Sequence, residues 1–473
     1  MKRWDPQQIA HAAGAQLLNA GGEGSAQANL SGGPEWATID SRAAGPGALF
    51  VGLAGERAHG GEFAGVALGA GAWGVLTTPE YAARLVAPSD SVRQGVVLAA
   101  DDPLAALQRL ATEWRRLLGA RVIAVTGSTG KTSTKDLLLA VLSPYRLTVA
   151  SKGNFNTEIG LPLEILSAPA GTEILVLEMG MRGSGQIAEL ARIAEPDVGV
   201  IVSIGPVHLE LLGSIEAIAA AKSELIAALA PGATVIVPAG EPLLVPHLRG
   251  DLETVTFGEG GDVRLLSFTD SEVVIDHRGE PVTFQVDFTE AHMRQNLLAA
   301  CAAAGAVGVR PGGRLELALS PGRGQRLELP GGITLIDDCY NANPVSMRAA
   351  LEQLAATAAR SSAARSGEAQ SSQPARKVAV LGDMLELGPD GPAYHAQIGA
   401  YADRIVDLLV TVGPLAAGMA SAFDGEYHHA HNALEAAELV PAVLRSGDVV
   451  LVKGSNGVGL KLVCETLSAA AKR

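Results

Sequence analysis

Short apolar runs alternate with longer Ala- and Leu-rich stretches along most of the chain. RVIAVTGSTGKTSTKDLLLAVL (121–142) reads as strand, tight loop and helix. EILVLEMG (173–180), DVGVIVSIG (197–205) and ATVIVPAG (233–240) are short, β-branched and closed by glycine or polar residues. That pattern predicts buried strands. Between them, SIEAIAAAKSELIAALAPG (214–232) predicts a helix, with Gly232 at its C-cap. Strands alternating with helices predict a parallel sheet covered on both faces.

The rhythm restarts towards the C-terminus. ITLIDD (333–338), KVAVLGD (377–383), DLLVTVG (407–413) and DVVLVKGS (448–455) each end in a polar or glycine-rich turn. In an open parallel sheet such ends face the ligand crevice. SPGRGQR (320–326) reads as a hinge between two α/β units, and RSSAARSGEAQSSQPAR (360–376) as a helix tail running into a surface loop. The glycine-rich text before these units reads as a third, smaller α/β unit. The expected division is 1–115, 116–315 and 316–473.

Composition narrows the class. The 473 residues are 48% hydrophobic and 18% charged, enough apolar text for packed cores, so global disorder is excluded. No apolar run is long enough for a membrane helix, and no apolar stretch follows the charged start, so a cytoplasmic location is expected. Cys301, Cys339 and Cys464 are scattered, odd in number and without C-x-x-C spacing, which suits free thiols in a reducing compartment and not a disulfide framework or a structural zinc site. A formal charge of −14 argues against nonspecific nucleic-acid binding.

The loop Thr126-Gly127-Ser128-Thr129-Gly130-Lys131-Thr132-Ser133 carries the clearest chemistry. Its glycines let backbone N–H groups turn onto phosphate oxygens, Lys131 adds a cation, and the Thr132 hydroxyl suits Mg²⁺. The usual longer loop has an additional glycine where Val125 stands, so this is the shorter G-x-x-G-K-T form. Glu178, at the end of an apolar run, is placed as a second Mg²⁺-binding carboxylate would be. His208 and Lys222 are not distinguished by spacing alone.

In combination, GSTGKTSTKD (127–136), NFNTEIGLP (154–162), EMGMRGSGQI (178–187), His208, Lys222 and HMRQN (292–296) resemble the Mur ligase family. So do GRG (322–324), DDCYNANPVSM (337–347), GDMLELG (382–388), KGSN (453–456) and, near the start, DSR (40–42) and PGALFVGLAGE (46–56). The resemblance implies three domains. They are an N-terminal UDP-sugar-binding unit, a central P-loop ATPase-like parallel sheet, and a C-terminal Rossmann-like unit for an incoming dipeptide. It also implies a monomeric ATP- and Mg²⁺-dependent amide ligase of peptidoglycan precursor synthesis. The branch implied adds D-alanyl-D-alanine to a UDP-N-acetylmuramoyl-tripeptide through an acyl phosphate.

Roles follow by resemblance. Gly127 to Ser133 correspond to the ATP phosphate cradle. Thr132 and Glu178 correspond to ligands of one Mg²⁺ and His208 to a ligand of another. Lys222 corresponds to a carbamylated lysine, which turns a cation into a carboxylate-like metal ligand. Asn296 corresponds to an adenine contact and Asp338 to a ribose contact. Arg323, or its neighbour Arg326, corresponds to an arginine reaching the phosphates. Lys131, Lys222, His208 and Arg323 form the implied catalytic set. Asn154, Asn156, Thr157 and Arg182 are implied contacts to the muramoyl-peptide, Ser41 and Arg42 to the uridine diphosphate, and Tyr340, Asn341 and Asn343 to the dipeptide. The family often has Asp-Gly-His near the uridine site, where this chain has AHGGEF (58–63), leaving His59 with that role or none. Cys339 stands where serine is usual and is read as a tolerated replacement. EYHHAH (426–431) is read as surface, not as a metal site. Other ligases of the family share the P-loop and Lys222, and a nucleotide-binding module or kinase shares the P-loop alone. DDCYNANP and the C-terminal motifs speak for the first branch.

Overall fold

The computed structural model describes residues 1, 3–19, 32–87, 95–367 and 374–470. Three sheets organise them. The first has five strands, ordered Gln16–Asn19, Val96–Ala99, Gly74–Thr77, Ala48–Val51, Trp36–Thr38, all parallel except the first. The second has ten strands. Third from one edge, the phosphate-loop strand Arg121–Thr126 lies parallel between Ile174–Glu178 and Val198–Ile201. The third has six, with Ile333–Asp337, Val449–Lys453, Lys377–Gly382, Leu408–Val412 and Glu426–Ala430 running parallel in that order.

The expected strands are present, and they are buried because helices cover both faces. Val122, Ile123, Ala124 and Val125 are inaccessible to solvent, which is why their text is a continuous apolar run and not an alternation. The expected helix is Ile215–Ala228, and the Ser214 hydroxyl caps it by accepting the Ala217 N–H at 3.1 Å. Its C-cap is Leu229, not Gly232. Gly232 instead turns at φ +81° three residues later and donates its N–H to the Asp251 carbonyl at 2.8 Å.

One region differs from the alternating pattern. Val263–Phe268, Glu272–His277 and Glu280–Gln285 form an antiparallel meander that extends the central sheet. Its last turn uses Arg278 at φ +55° and Gly279 at φ +92°, the backbone sign that tight hairpins need.

The sheets are joined by side chains as well as by chain connections. Helix Pro103–Leu118 spans the expected boundary at 115/116, and its Leu107, Leu110 and Trp114 belong to one core with Leu49 and Leu98 of the first sheet and Val122 and Leu177 of the second. Trp114 also donates its indole N–H to the Ala168 carbonyl at 3.1 Å and meets Trp4 edge-on, with centroids 5.5 Å apart. The expected hinge 320–326 is tethered. Ser320 donates its N–H and hydroxyl to Asp136 at 2.8 and 3.0 Å, and Lys135 reaches the same hydroxyl at 3.2 Å. Both partners sit on the phosphate-loop helix Lys131–Leu142. Helix Pro344–Gly367 carries the expected tail, and residues 368–373 of the expected surface loop lie outside the described residues.

Trp114→Ala should destabilise the joined first and second units by about 3–5 kcal/mol, the usual cost of emptying a buried aromatic site. An unchanged urea transition would show that the shared core does not couple them.

Candidate active site

The phosphate loop is held from the segment that follows the neighbouring strand Val198–Ile201. Ser128 donates its N–H to the Ser203 carbonyl at 2.9 Å, and its hydroxyl donates to the Gly205 carbonyl at 3.0 Å. The Thr129 N–H donates to the Ser203 hydroxyl at 2.9 Å. Gly130 closes the loop at φ +78°, and a Cβ there would lie 2.5 Å from Asn296 Oδ1 and 2.9 Å from Val202 Cγ1. Only glycine fits, for conformation and for space alike. Helix Lys131–Leu142 starts at once, so its free N–H groups face the loop.

A cavity of about 160 Å³ lies over this loop, lined by Ser128 to Ser133 and Asn296 of the central unit. Its opposite wall comes from the C-terminal unit: Arg323, Asp338, Asn341 and Asn343. The structure therefore brings together the cradle and the adenine, ribose and phosphate candidates, although up to 210 residues separate them in sequence, from Ser128 to Asp338. Arg323 lines this wall with its guanidinium 4.0 Å from the Tyr340 ring centroid. Arg326 faces elsewhere, pairing with the buried Glu290, which Arg360 also approaches at 3.7 Å. Of the two arginines, Arg323 is the one beside the phosphate loop.

Glu178, His208 and Lys222 lie behind Lys131. Glu178 is buried, and Asn156 donates to its Oε1 at 2.8 Å. Its Oε2 is enclosed without a hydrogen-bond partner. A buried carboxylate oxygen left unpaired is costly unless a cation or donor completes it, which fits a Mg²⁺ ligand. Desolvation pulls the Lys131 amine below its ordinary value, the Glu178 charge opposes this, and Arg323 adds to it. Lys131 donates to the Gly127 carbonyl at 2.7 Å. Lys222 is 2% exposed, and burial, aided by Lys131, holds its amine well below the ordinary lysine range. His208 stands at φ +55° and is pushed down by burial, with Glu386 opposing and the two lysines assisting.

Other expected contacts lie outside this cavity. Asn154, Thr157 and Arg182 are on exposed loops. Ser41 and Arg42 are on the first sheet's rim, and Asp40 grips Arg42 with two hydrogen bonds of 2.9 and 2.8 Å, lowering the Asp40 pKa to about 2. His59 accepts the Gly61 N–H at 3.0 Å and stacks on Tyr81, so it holds the turn of its own segment. Asn343, which does line the cavity, also caps helix Pro344–Gly367, its side chain accepting the Ser346 N–H at 2.9 Å. Half-buried Tyr340 is pushed up by burial, and Arg323 opposes this.

Sequence reasoning missed several residues here. Lys453 of KGSN bonds Asp338 at 2.6 Å and the Asn341 carbonyl at 3.0 Å, fixing the segment 338–341. His292 lines the cavity beside Asn296. Glu386 of GDMLELG bonds His208 Nδ1, lies 3.7 Å from Arg182, and accepts the Glu210 N–H on its carbonyl at 3.3 Å. Glu386 is itself at φ +63°, so two strained residues from different units meet. The quoted motifs contained Lys453, His292 and Glu386, but their partners are distant in sequence.

Two family models match the chain: "Mur ligase middle domain" over residues 125–304 and "Mur ligase, glutamate ligase domain" over 322–456. The chain is 37% identical to the UDP-N-acetylmuramoyl-tripeptide–D-alanyl-D-alanine ligase of Mycobacterium bovis, covering 98% of this chain and 97% of that one. It is 37% identical to the Bacillus subtilis enzyme of the same name, covering 89% and 90%. Among solved structures it is similar to MurF of Acinetobacter baumannii, with a TM-score of 0.78 and 26% identity over the whole of both chains. It is also similar to MurF ligase of Thermotoga maritima in complex with ADP, with a TM-score of 0.75 and 27% identity over 92% and 98%.

Gly130→Ala should weaken nucleotide binding about tenfold or more, given a cost of about 1–3 kcal/mol for the strained backbone and the added clash. A fluorescent-nucleotide titration reads this directly, and wild-type affinity in the variant would refute the cradle geometry.

Proposed function

The chain belongs to the Mur ligase family, and from that membership and the cavity we infer an ATP-dependent amide ligase adding D-alanyl-D-alanine to a UDP-N-acetylmuramoyl-tripeptide. ATP occupies the cavity over the phosphate loop, and ADP and phosphate leave. The observation that carries this reading is the meeting of Lys131 with Arg323 across the joint between the central and C-terminal units. A site that only held nucleotide would not need the second wall. On this reading 1–115 serves the nucleotide sugar, 116–315 ATP and 316–473 the dipeptide.

The chemical problem is that a carboxylate repels nucleophiles and lacks a leaving group. Transfer of the γ-phosphoryl group to the tripeptide's terminal carboxylate gives an acyl phosphate. The dipeptide amine then attacks the carbonyl, and the tetrahedral species collapses to amide and phosphate. Protein groups act mainly by position and charge. Gly127 to Ser133 cradle the phosphates through backbone N–H groups, while Lys131 and Arg323 neutralise charge from opposite walls. Asn296 and Asp338 hold the adenosine, with Lys453 orienting Asp338. Thr132, Glu178, His208 and Lys222 would hold Mg²⁺, and the unpaired Glu178 Oε2 fits that role. Bound Mg²⁺ supplies charge neutralisation to the transferring phosphoryl group.

Lys222 acts as a carbamate. Its depressed pKa favours the neutral amine, the form that adds carbon dioxide. Carbamylation places an anion beside Lys131, where a protonated Lys222 would be repelled. Asn154, Asn156, Thr157 and Arg182 serve the muramoyl-peptide, Ser41 and Arg42 the uridine diphosphate, and Tyr340, Asn341 and Asn343 the dipeptide end. Glu386 orients His208 by bonding its Nδ1, as a partner to a metal-ligating histidine would. The protein acts as a monomer, and among the described residues no helix is long and apolar enough to cross a membrane.

Phosphate release should require ATP, Mg²⁺, the UDP-muramoyl-tripeptide and D-alanyl-D-alanine together. Full turnover without the dipeptide would sink the ligase reading. Lys222→Ala should lose most activity and regain part of it with a small carboxylic acid. Unchanged turnover would remove Lys222 from the site. Arg323→Ala should lower kcat far more than Arg326→Ala, and the opposite order would reverse the assignment of the two arginines.

A further inference from the structure

A second group of potential ligands lies on the far side of the segment that carries Asp338 and Tyr340. Asp337 ends strand Ile333–Asp337, Cys339 follows two residues later, and Cys464 projects from helix Lys461–Ala470. One carboxylate oxygen and the two sulfurs all lie within 4.8 Å of one another. The Cys464 thiol donates to Asp337 Oδ1 at 3.3 Å, and the Cys339 backbone N–H donates to the same oxygen at 3.3 Å. The carboxylate is therefore already oriented towards the Cys464 sulfur. Both cysteines are buried, at 6% and 4% exposure.

We propose that Asp337, Cys339 and Cys464 form a binding site for one soft divalent metal ion of the zinc and cadmium class. In a tetrahedral zinc site, bond lengths of about 2.0–2.3 Å set ligand atoms roughly 3.5 Å apart. The Cys464–Asp337 separation, 3.3 Å, is close to that value, and the Cys339 sulfur lies within 4.8 Å of both. Thiolates select soft ions over Mg²⁺, which prefers oxygen, so the Mg²⁺ required at the nucleotide does not compete. Binding forms two sulfur–metal bonds and one oxygen–metal bond, and both thiol protons pass to solvent. No electron is transferred. The fourth position is left to water. Hydrogen bonding with Cys339, burial and the Asp337 charge all push the Cys464 thiol up, so the ion must displace its proton. Lys461 is the neighbouring cation, and it is paired with Glu465 at 3.1 Å. An ion here ties the helix Lys461–Ala470 to the segment that forms the C-terminal wall of the nucleotide cavity.

The test uses the full chain, freshly reduced, stripped with a chelator and kept in excess Mg²⁺. Titration with Cd²⁺ should raise a thiolate-to-cadmium charge-transfer band that saturates at one equivalent and is reversed by Zn²⁺. Co²⁺ should give the visible spectrum of a tetrahedral thiolate site. These wild-type measurements stand whether or not any variant folds. Cys339→Ser and Cys464→Ala, checked for native circular dichroism, should each lose the saturable band, whereas Cys301→Ala should keep it. Asp337→Asn should weaken Cd²⁺ binding about tenfold or more, as loss of a ligand-shell carboxylate does. Absence of a saturable band in the wild type, or a band that survives loss of Cys464, would overturn the proposal.

Discussion

Repulsion among enclosed cations is the constraint on which the site depends. Lys131, Lys222 and Arg323 converge around the phosphate loop, and Glu178 is the carboxylate that reaches Lys131. Desolvation makes every charge there more expensive than in water. Such a cluster is stable only if anions complete it. The proposed substrates are polyanions, and a carbamate on Lys222 would convert one offending cation into another anion. The chain's overall charge of −14 has no bearing on this, because local backbone donors and cations set the field at the loop.

The same constraint explains why the site is built at a joint. A phosphate cradle on one sheet can hold a nucleotide, but two anions brought together need charge from both sides. The C-terminal unit supplies Arg323 and Asp338, and its Glu386 grips His208 of the central unit. Ser320 ties the connecting segment to the phosphate-loop helix through Asp136. Glu290 binds Arg326 and approaches Arg360 on the other side. These links make the position of the C-terminal sheet a property of the active site itself.

Much of this was legible in the sequence where a local rule was sufficient. The runs around Val122, Val198 and Val450 are continuous because both faces of those strands are covered, and their glycine or polar endings mark the ligand-facing edge. The phosphate loop was legible because backbone geometry restricts Gly130 to glycine. The meander from Val263 to Gln285 was not, because its strands are half-exposed, as in Val263–Phe268, and do not form apolar runs. The Gly232 C-cap was misplaced because glycine also serves the turn beyond a helix. The choice between Arg323 and Arg326 depended on Glu290, more than 30 residues away. Glu386 and Lys453 stood in quoted motifs, but their partners are fixed by sheet order, which no local pattern encodes.

The central claim is that this cation cluster activates a carboxylate and not a water molecule. Labelling the terminal carboxylate of the UDP-muramoyl-tripeptide with heavy oxygen tests it most directly. Passage through an acyl phosphate leaves one carboxylate oxygen on phosphorus, so mass spectrometry of the released phosphate should find one labelled atom for each amide formed. Phosphate free of label, with solvent oxygen in its place, would contradict the account and make the site a hydrolase of ATP.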